Sequence, residues 1–370
     1  MTEFCQACTA FNMSRDAFHA APFRDKGNRV HQLGFFFDME KRDFCPLCSL
    51  LTRAYRNGPA QHQTAFEGSR VFGSWSKIAD DEDCTEAGLH FFLDGKHSDL
   101  KLPLDVRLMP KRNEVPAQGA GLPIKLTNSK LPFDLAREWL HRCETDHSCR
   151  SVPLSATSAG HLPMSFTVID VKEQCLVQPS DECRFLALSY MWGSSNRFMS
   201  SVQKINDLKR PGALVSIWNL LAPPIKDAVI LTKELHERYI WIDAVCIPQS
   251  GDDGAEIARD NISSMDSIYR HAVCTIIAAD NDTPDGGMAG VSTRPRKTQQ
   301  FIADLSPDVR VLARFSPQSL MLQSRYRSRG WTYVTISCVR SIGSCVVNSH
   351  RVAFLTLILQ MLYWCPSIVC

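Results

Sequence analysis

A chain of 370 residues is long enough to bury one large core or two smaller ones. Its hydrophobic fraction of 44% and charged fraction of 22% are those of an ordinary globular protein, and a formal net charge of +2 argues against a strongly basic nucleic-acid binder. Met1 to Cys5 shows no charged leader ahead of an apolar core, so a secretory signal is not expected. The 15 cysteines then read as reduced thiols or metal ligands in a reducing, cytoplasmic setting.

Residues 1–60 show little periodicity but hold two Cys-x-x-Cys pairs, Cys5/Cys8 and Cys45/Cys48. Thiolates at this spacing turn back on themselves and can share one tetrahedral Zn²⁺. The interval between the pairs exceeds the roughly 15–20 residues of a compact ribbon. Cys143, His147 and Cys149 are spare ligands, and plain burial of cysteines is the competing reading. A structural zinc is one expectation for a Cys-rich region spanning 1–150; no HExxH-type word suggests a catalytic one. Residues 61–130 mix short apolar pieces (Val71-Phe72, Leu89 to Leu93) with Gly, Pro and charge, and Pro110 to Pro123 reads as a loop. Asp134 is a natural N-cap for a helix carrying Leu135, Trp139 and Arg142-Cys143 on one face.

Beyond a Ser/Pro/Gly-rich linker, Ser151 to Pro163, the pattern alternates. Strands are expected at Phe166–Val171, Phe185–Tyr190, Tyr239–Ile247 and Val273–Ala279. Pro223-Pro224 opens a helix whose apolar stripe is Ile225, Ala228, Val229, Thr232 and Leu235. A further helix is expected over Ala255–Arg270. The pattern predicts an α/β domain over 160–333, built on a mostly parallel sheet flanked by helices with its site at the strands' carboxyl ends. The tail from Val334 to Cys370 contains no Asp or Glu, and its apolar run Val352 to Trp364 is shorter than the roughly 20 residues of a spanning helix.

Several spaced words resemble the fungal heterokaryon-incompatibility (HET) domain, over roughly Phe166 to Tyr333. They are Ile169-Asp170-Val171, Ala187 to Gly193, Ile225-Lys226-Asp227-Ala228, Tyr239 to Ile247 with Gln249, then Met265, Ile268-Tyr269, Ala272, Thr275-Ile276 and Arg329-Gly330-Trp331-Thr332. The Cys pairs and Trp139…Cys143-x-x-x-His147-x-Cys149 are also familiar ahead of such domains. The resemblance implies non-self recognition and induction of cell death in a filamentous fungus, through protein partners or self-association. HET domains are distantly similar to TIR domains, whose enzymatic members cleave NAD at the nicotinamide bond with a helix-borne glutamate. That implies Glu256 as catalytic residue and NAD as a possible substrate. A departure follows Trp331-Thr332: the family's usual Gln-Glu pair is replaced by Val334 and the acid-free tail. The expectation is that the gene model reads through an intron or frameshift there, leaving the domain C-terminally incomplete.

Each candidate carries two readings. Asp243, a carboxylate in an apolar strand, either anchors Trp192's turn or lines a ligand crevice. Glu256 is either a dipole partner in a first turn or the carboxylate that stabilises an oxocarbenium-like transition state. Trp192, following Ser189-Tyr190 and preceding Gly193, either stacks on a nucleotide or caps the core. The Asp285-Gly286-Gly287 loop is a weak phosphate-cradle signal, and Cys246 has no sequence-local activating group.

Overall fold

The computed structural model describes residues 3–19, 29–57, 66, 68–77, 87–94, 103–110, 129–145, 162–179, 183–194, 198–278, 285–295, 300–315 and 326. His147, Cys149, the Arg329–Thr332 word and the tail from Val334 lie outside them. In chain order the elements are α1 (Gln6–Thr9), α2 (Arg15–His19), β1 (His31–Phe35), α3 (Phe36–Glu40), α4 (Pro46–Asn57), β2 (Arg70–Lys77), β3 (Ala87–Asp94) and β4 (Leu104–Leu108). There follow α5 (Phe133–Thr145), β5 (Val168–Asp170), β6 (Cys175–Val177), β7 (Leu186–Tyr190), α6 (Val202–Asp207), α7 (Leu214–Ile217), α8 (Pro223–Glu234) and β8 (Tyr239–Trp241). The last are α9 (Asp243–Cys246), α10 (Ala255–Ser263), α11 (Met265–His271), β9 (Cys274–Ala278), β10 (Phe301–Ser306) and β11 (Val309–Phe315).

Two compact units result. Among the described residues, one holds 3–110 together with the 300–315 hairpin, and the other holds 129–295 and Tyr326. The first unit is a six-stranded sheet in the order β1-β2-β3-β4-β11-β10, antiparallel at every pairing. One face of it, with Leu89, Phe91, Val106, Val311 and Phe315, joins Leu47, Leu50, Leu51 and Tyr55 of α4 in a hydrophobic cluster. Alternation along each strand sends the intervening residues to the opposite face. Edge-on aromatic pairs such as Phe36–Tyr55 and Tyr55–Phe315 add directional packing within the cluster.

The second unit carries a five-stranded sheet in the order β6-β5-β8-β7-β9. Here the expectation of a mostly parallel sheet flanked by helices is corrected. Only β7 with β8 and β7 with β9 are parallel; β5 pairs antiparallel with both β6 and β8. The cause is local. Asp170 Oδ1 accepts the backbone N–H groups of Lys172 and Glu173, both at 2.9 Å, and so turns the chain straight back into β6. With the antiparallel sheet of the first unit, this makes the molecule an α+β arrangement of one antiparallel and one mixed sheet rather than one parallel layer.

Two elements also differ from their expected spans. The Tyr239–Ile247 ribbon is strand only as far as Trp241, because Asp243 Oδ1 accepts the Ala244 N–H at 2.7 Å and starts the helical turn of α9. The Ala255–Arg270 helix is two, α10 and α11, meeting at Ser264. Trp241 is fully buried and packs edge-on against Tyr269, whose hydroxyl donates to Leu188 O at 3.3 Å. Pro223 and Pro224 begin α8 as expected, since the first helical turn needs no N–H donors.

Candidate functional site

The carboxyl ends of the parallel strands β7, β8 and β9 are tied together by side chains. Trp192, just past β7, donates its indole N–H to Asp243 Oδ2 at 2.9 Å. Ser194 Oγ donates to Asp285 Oδ2 at 3.0 Å. Asp227, 2% exposed on the inner face of α8, accepts the Met288 N–H at 2.6 Å and the Ser292 hydroxyl. Arg294 donates to Gly287 O at 2.8 Å. Burial pushes the Asp227 carboxyl above its ordinary range, and the bonds from Ser292 and Met288 pull part of that back.

The Asp285-Gly286-Gly287 loop is thus moored at both ends by carboxylates. Gly287 is required by close approach: a Cβ there would stand 2.6 Å from Asp227 Oδ2. Among the described residues the left-handed glycines are Gly34, Gly212, Gly251 and Gly290, and Gly193 is not one of them. In the sequence Asp243 and Trp192 stand out as candidates, Asp227 appears only within the Ile225–Ala228 word, and nothing marks Ser194 or Ser292. At 3.6 residues per turn Asp227 falls outside the Ile225, Ala228, Val229 and Thr232 stripe, so the pattern of α8 did not mark it.

The other expected site residues are placed as follows. Ser189 and Tyr190 are buried inside the β7 layer, and Ser189 Oγ bonds to Tyr326 Oη at 2.5 Å. Trp192 is 38% exposed. Glu256 is exposed in the first turn of α10, where a carboxylate complements the helix dipole. Burial pushes the Cys246 thiol up to about 12, which leaves it inert as a nucleophile. At the opposite, amino-terminal ends of β7 and β8 lies an open cavity of about 710 Å³. Among its lining residues Arg184 pairs with Glu237 and Arg238 with Asp170.

In the first unit, Cys5, Cys8, Cys45 and Cys48 converge. All four are buried, and their sulfurs lie within 4.8 Å of one another. Cys5 to Cys48 and Cys8 to Cys48 are each 3.6 Å, too long for a disulfide. Sulfurs about 2.3 Å from a tetrahedral Zn²⁺ sit roughly 3.8 Å apart, so the cluster has the dimensions of a closed zinc site. Helix starts position it: Cys5 caps α1 with Cys8 inside it, while Cys45 precedes α4 with Cys48 in its first turn. The long interval between the pairs is taken up by α2, β1 and α3, which bring the second pair back to the first.

The chemistry of this donor set fits a metal. Hydrogen bonds with Cys45 and Cys48, together with burial, push the Cys8 thiol far above its ordinary value. A divalent cation reverses that logic and deprotonates its thiol ligands. Arg42 bonds Leu33 O at 2.9 Å and reaches Cys5 Sγ at 3.9 Å, placing a positive charge beside sulfurs that carry negative charge when ligated. With four protein ligands no position is left open for substrate, which is the pattern of a structural site.

No described helix is long and apolar enough to cross a membrane. Residues 185–334 match the family model described as Heterokaryon incompatibility protein (HET). No curated protein and no solved structure matches the chain.

Proposed function

Because the chain carries a heterokaryon-incompatibility domain over residues 185–334, we propose that it is a non-self-recognition effector that triggers cell death as a signalling or self-associating module. In this reading the domain recruits protein partners and does not cleave NAD. The engagement of Asp243 is the observation that supports it best. A catalytic carboxylate has to meet charge that develops on the substrate. Asp243 instead spends Oδ2 on the Trp192 indole and Oδ1 on the Ala244 N–H. That arrangement fixes the turn at the strand ends and holds Trp192 partly exposed, in the manner of an aromatic anchor at a protein interface.

The experiment is expression of the full chain in a filamentous fungus, with cell death and total NAD followed together. The expected result is death that precedes any fall in NAD, unchanged by Glu256→Gln and weakened by Trp192→Ala. A fall in NAD that precedes death, with both abolished by Glu256→Gln, would overturn the proposal in favour of glycosidic cleavage.

A further inference from the structure

The face of the first unit's sheet turned away from its hydrophobic cluster carries a compact group of charges. His90, Asp105 and Arg314 form a row across β3, β4 and β11, since His90 pairs with Asp105 and Asp105 with Arg314 in the strand register. One step along the same face Arg107 pairs with Leu312, next to Gly88. Arg107 and Arg314 are 7% and 3% exposed, so both guanidinium groups are withdrawn from water.

Asp105 does not satisfy Arg107. Its Oδ1 is taken by His90 Nδ1 at 2.9 Å, and its Oδ2 lies 3.9 Å from Arg107 and from Arg314. Those separations allow ion pairing but exceed hydrogen-bond range. Arg107 Nε and Nη1 are buried without an acceptor, so both forks of the guanidinium hold an unused donor. Burial pushes the Asp105 carboxyl up, but the His90 bond and the two arginine charges outweigh it and keep the group ionised. Gly88 makes room for this: a Cβ there would stand 2.9 Å from Arg107 Cδ and 3.2 Å from Nε and Nη1. The strand has given up a side chain where the guanidinium lies.

Orphaned donors on a buried cation are costly, and a guanidinium fork is matched by the oxygens of a phosphate or similar oxyanion. We propose that Arg107, with Arg314 and His90 beside it, anchors a binding site for an oxyanion, with phosphate as its reference ligand. The ligand reaches it from the side of His90, whose side chain is 35% exposed. This site belongs to the first unit and does not depend on how the HET domain signals.

The test is thermal melting and ³¹P NMR of the full chain, using inorganic phosphate as probe against chloride at matched ionic strength. AMP serves as a second arm, to separate free phosphate from a phosphate ester. Wild type is expected to show a rise in Tm that saturates with phosphate, and broadening of the phosphate resonance. Arg107→Met removes the unsatisfied cation; it is expected to melt no lower than wild type in chloride and to lose the phosphate response. Gly88→Ala keeps the charge but displaces it, and should shift the response to higher phosphate. AMP raising Tm at lower concentration than phosphate would identify an ester as the preferred form. Identical melting of wild type in phosphate and chloride with an unbroadened resonance overturns the proposal. So does a phosphate response that survives in Arg107→Met. If that variant does not fold, the wild-type resonance and the Gly88→Ala shift decide the matter.

Discussion

The two units fix their critical corners by opposite means. In the first, four thiols of the same kind are pressed into one buried shell, an arrangement that is stable when a cation draws them together. In the second, carboxylates are spread along the strand ends, and each takes its own N–H or hydroxyl donors. A cluster of like groups depends on something outside the chain, whereas dispersed acceptors are satisfied by the chain itself. The first corner should therefore respond to metal supply and oxidation, and the second to pH and to single side-chain changes.

The largest separation between them comes from metal removal. Structural zinc contributes on the order of 10–16 kcal/mol in small zinc-binding peptides. Chelation, or Cys8→Ser, is expected to unfold the first unit while leaving the second, read by circular dichroism and limited proteolysis. Equal loss in both units would contradict a metal-dependent first unit and a self-sufficient second one. Next in size is Asp227→Ala, which strips the acceptor from the buried Met288 N–H and frees the Ser292 hydroxyl. A cost of about 2–3 kcal/mol is expected in denaturant melts of the second unit, with metal content unchanged.

Acid sharpens the same contrast. Burial raises the Asp170 carboxyl, but bonds from Arg238 and from the Glu173 and Lys172 N–H groups outweigh it, so its folded pKa is depressed. Its stabilising contribution is fully present above the unfolded value of about 3.9 and is lost as pH falls through the lower folded one. Asp170→Asn should flatten the acid limb of the second unit's stability profile; a profile identical to wild type would assign acid sensitivity elsewhere. The smallest effect is expected from Trp192→Phe, which deletes one indole bond at a partly exposed site. About 1 kcal/mol is the expected loss.

Local chemistry was legible in the sequence, and long-range pairing was not. Pro223-Pro224 announced α8, and the Phe185–Tyr190 apolar run announced β7, because both depend on neighbouring residues alone. The Cys-x-x-Cys spacing named a set of sulfurs that the fold does gather. The antiparallel sheet of the first unit went unread, since it joins β4 to β11 across some two hundred positions of chain, and its strands are interrupted by Gly73, Gly88, Asp105 and Arg107. In the sequence Asp243 reads as a carboxylate in a strand interior. Its side chain competes with the ladder for the Ala244 N–H and ends the strand. The hairpin β10–β11 lies within the stretch that matches the HET family yet builds the first unit's sheet, so sequence boundaries and structural ones do not coincide.

The central contrast is tested most directly by metal analysis of the full chain purified under reducing conditions in zinc-containing medium. The account predicts one Zn²⁺ per chain, held by Cys5, Cys8, Cys45 and Cys48, and lost on Cys8→Ser. Metal-free protein whose first unit stays folded, with those thiols freely reactive, would contradict it.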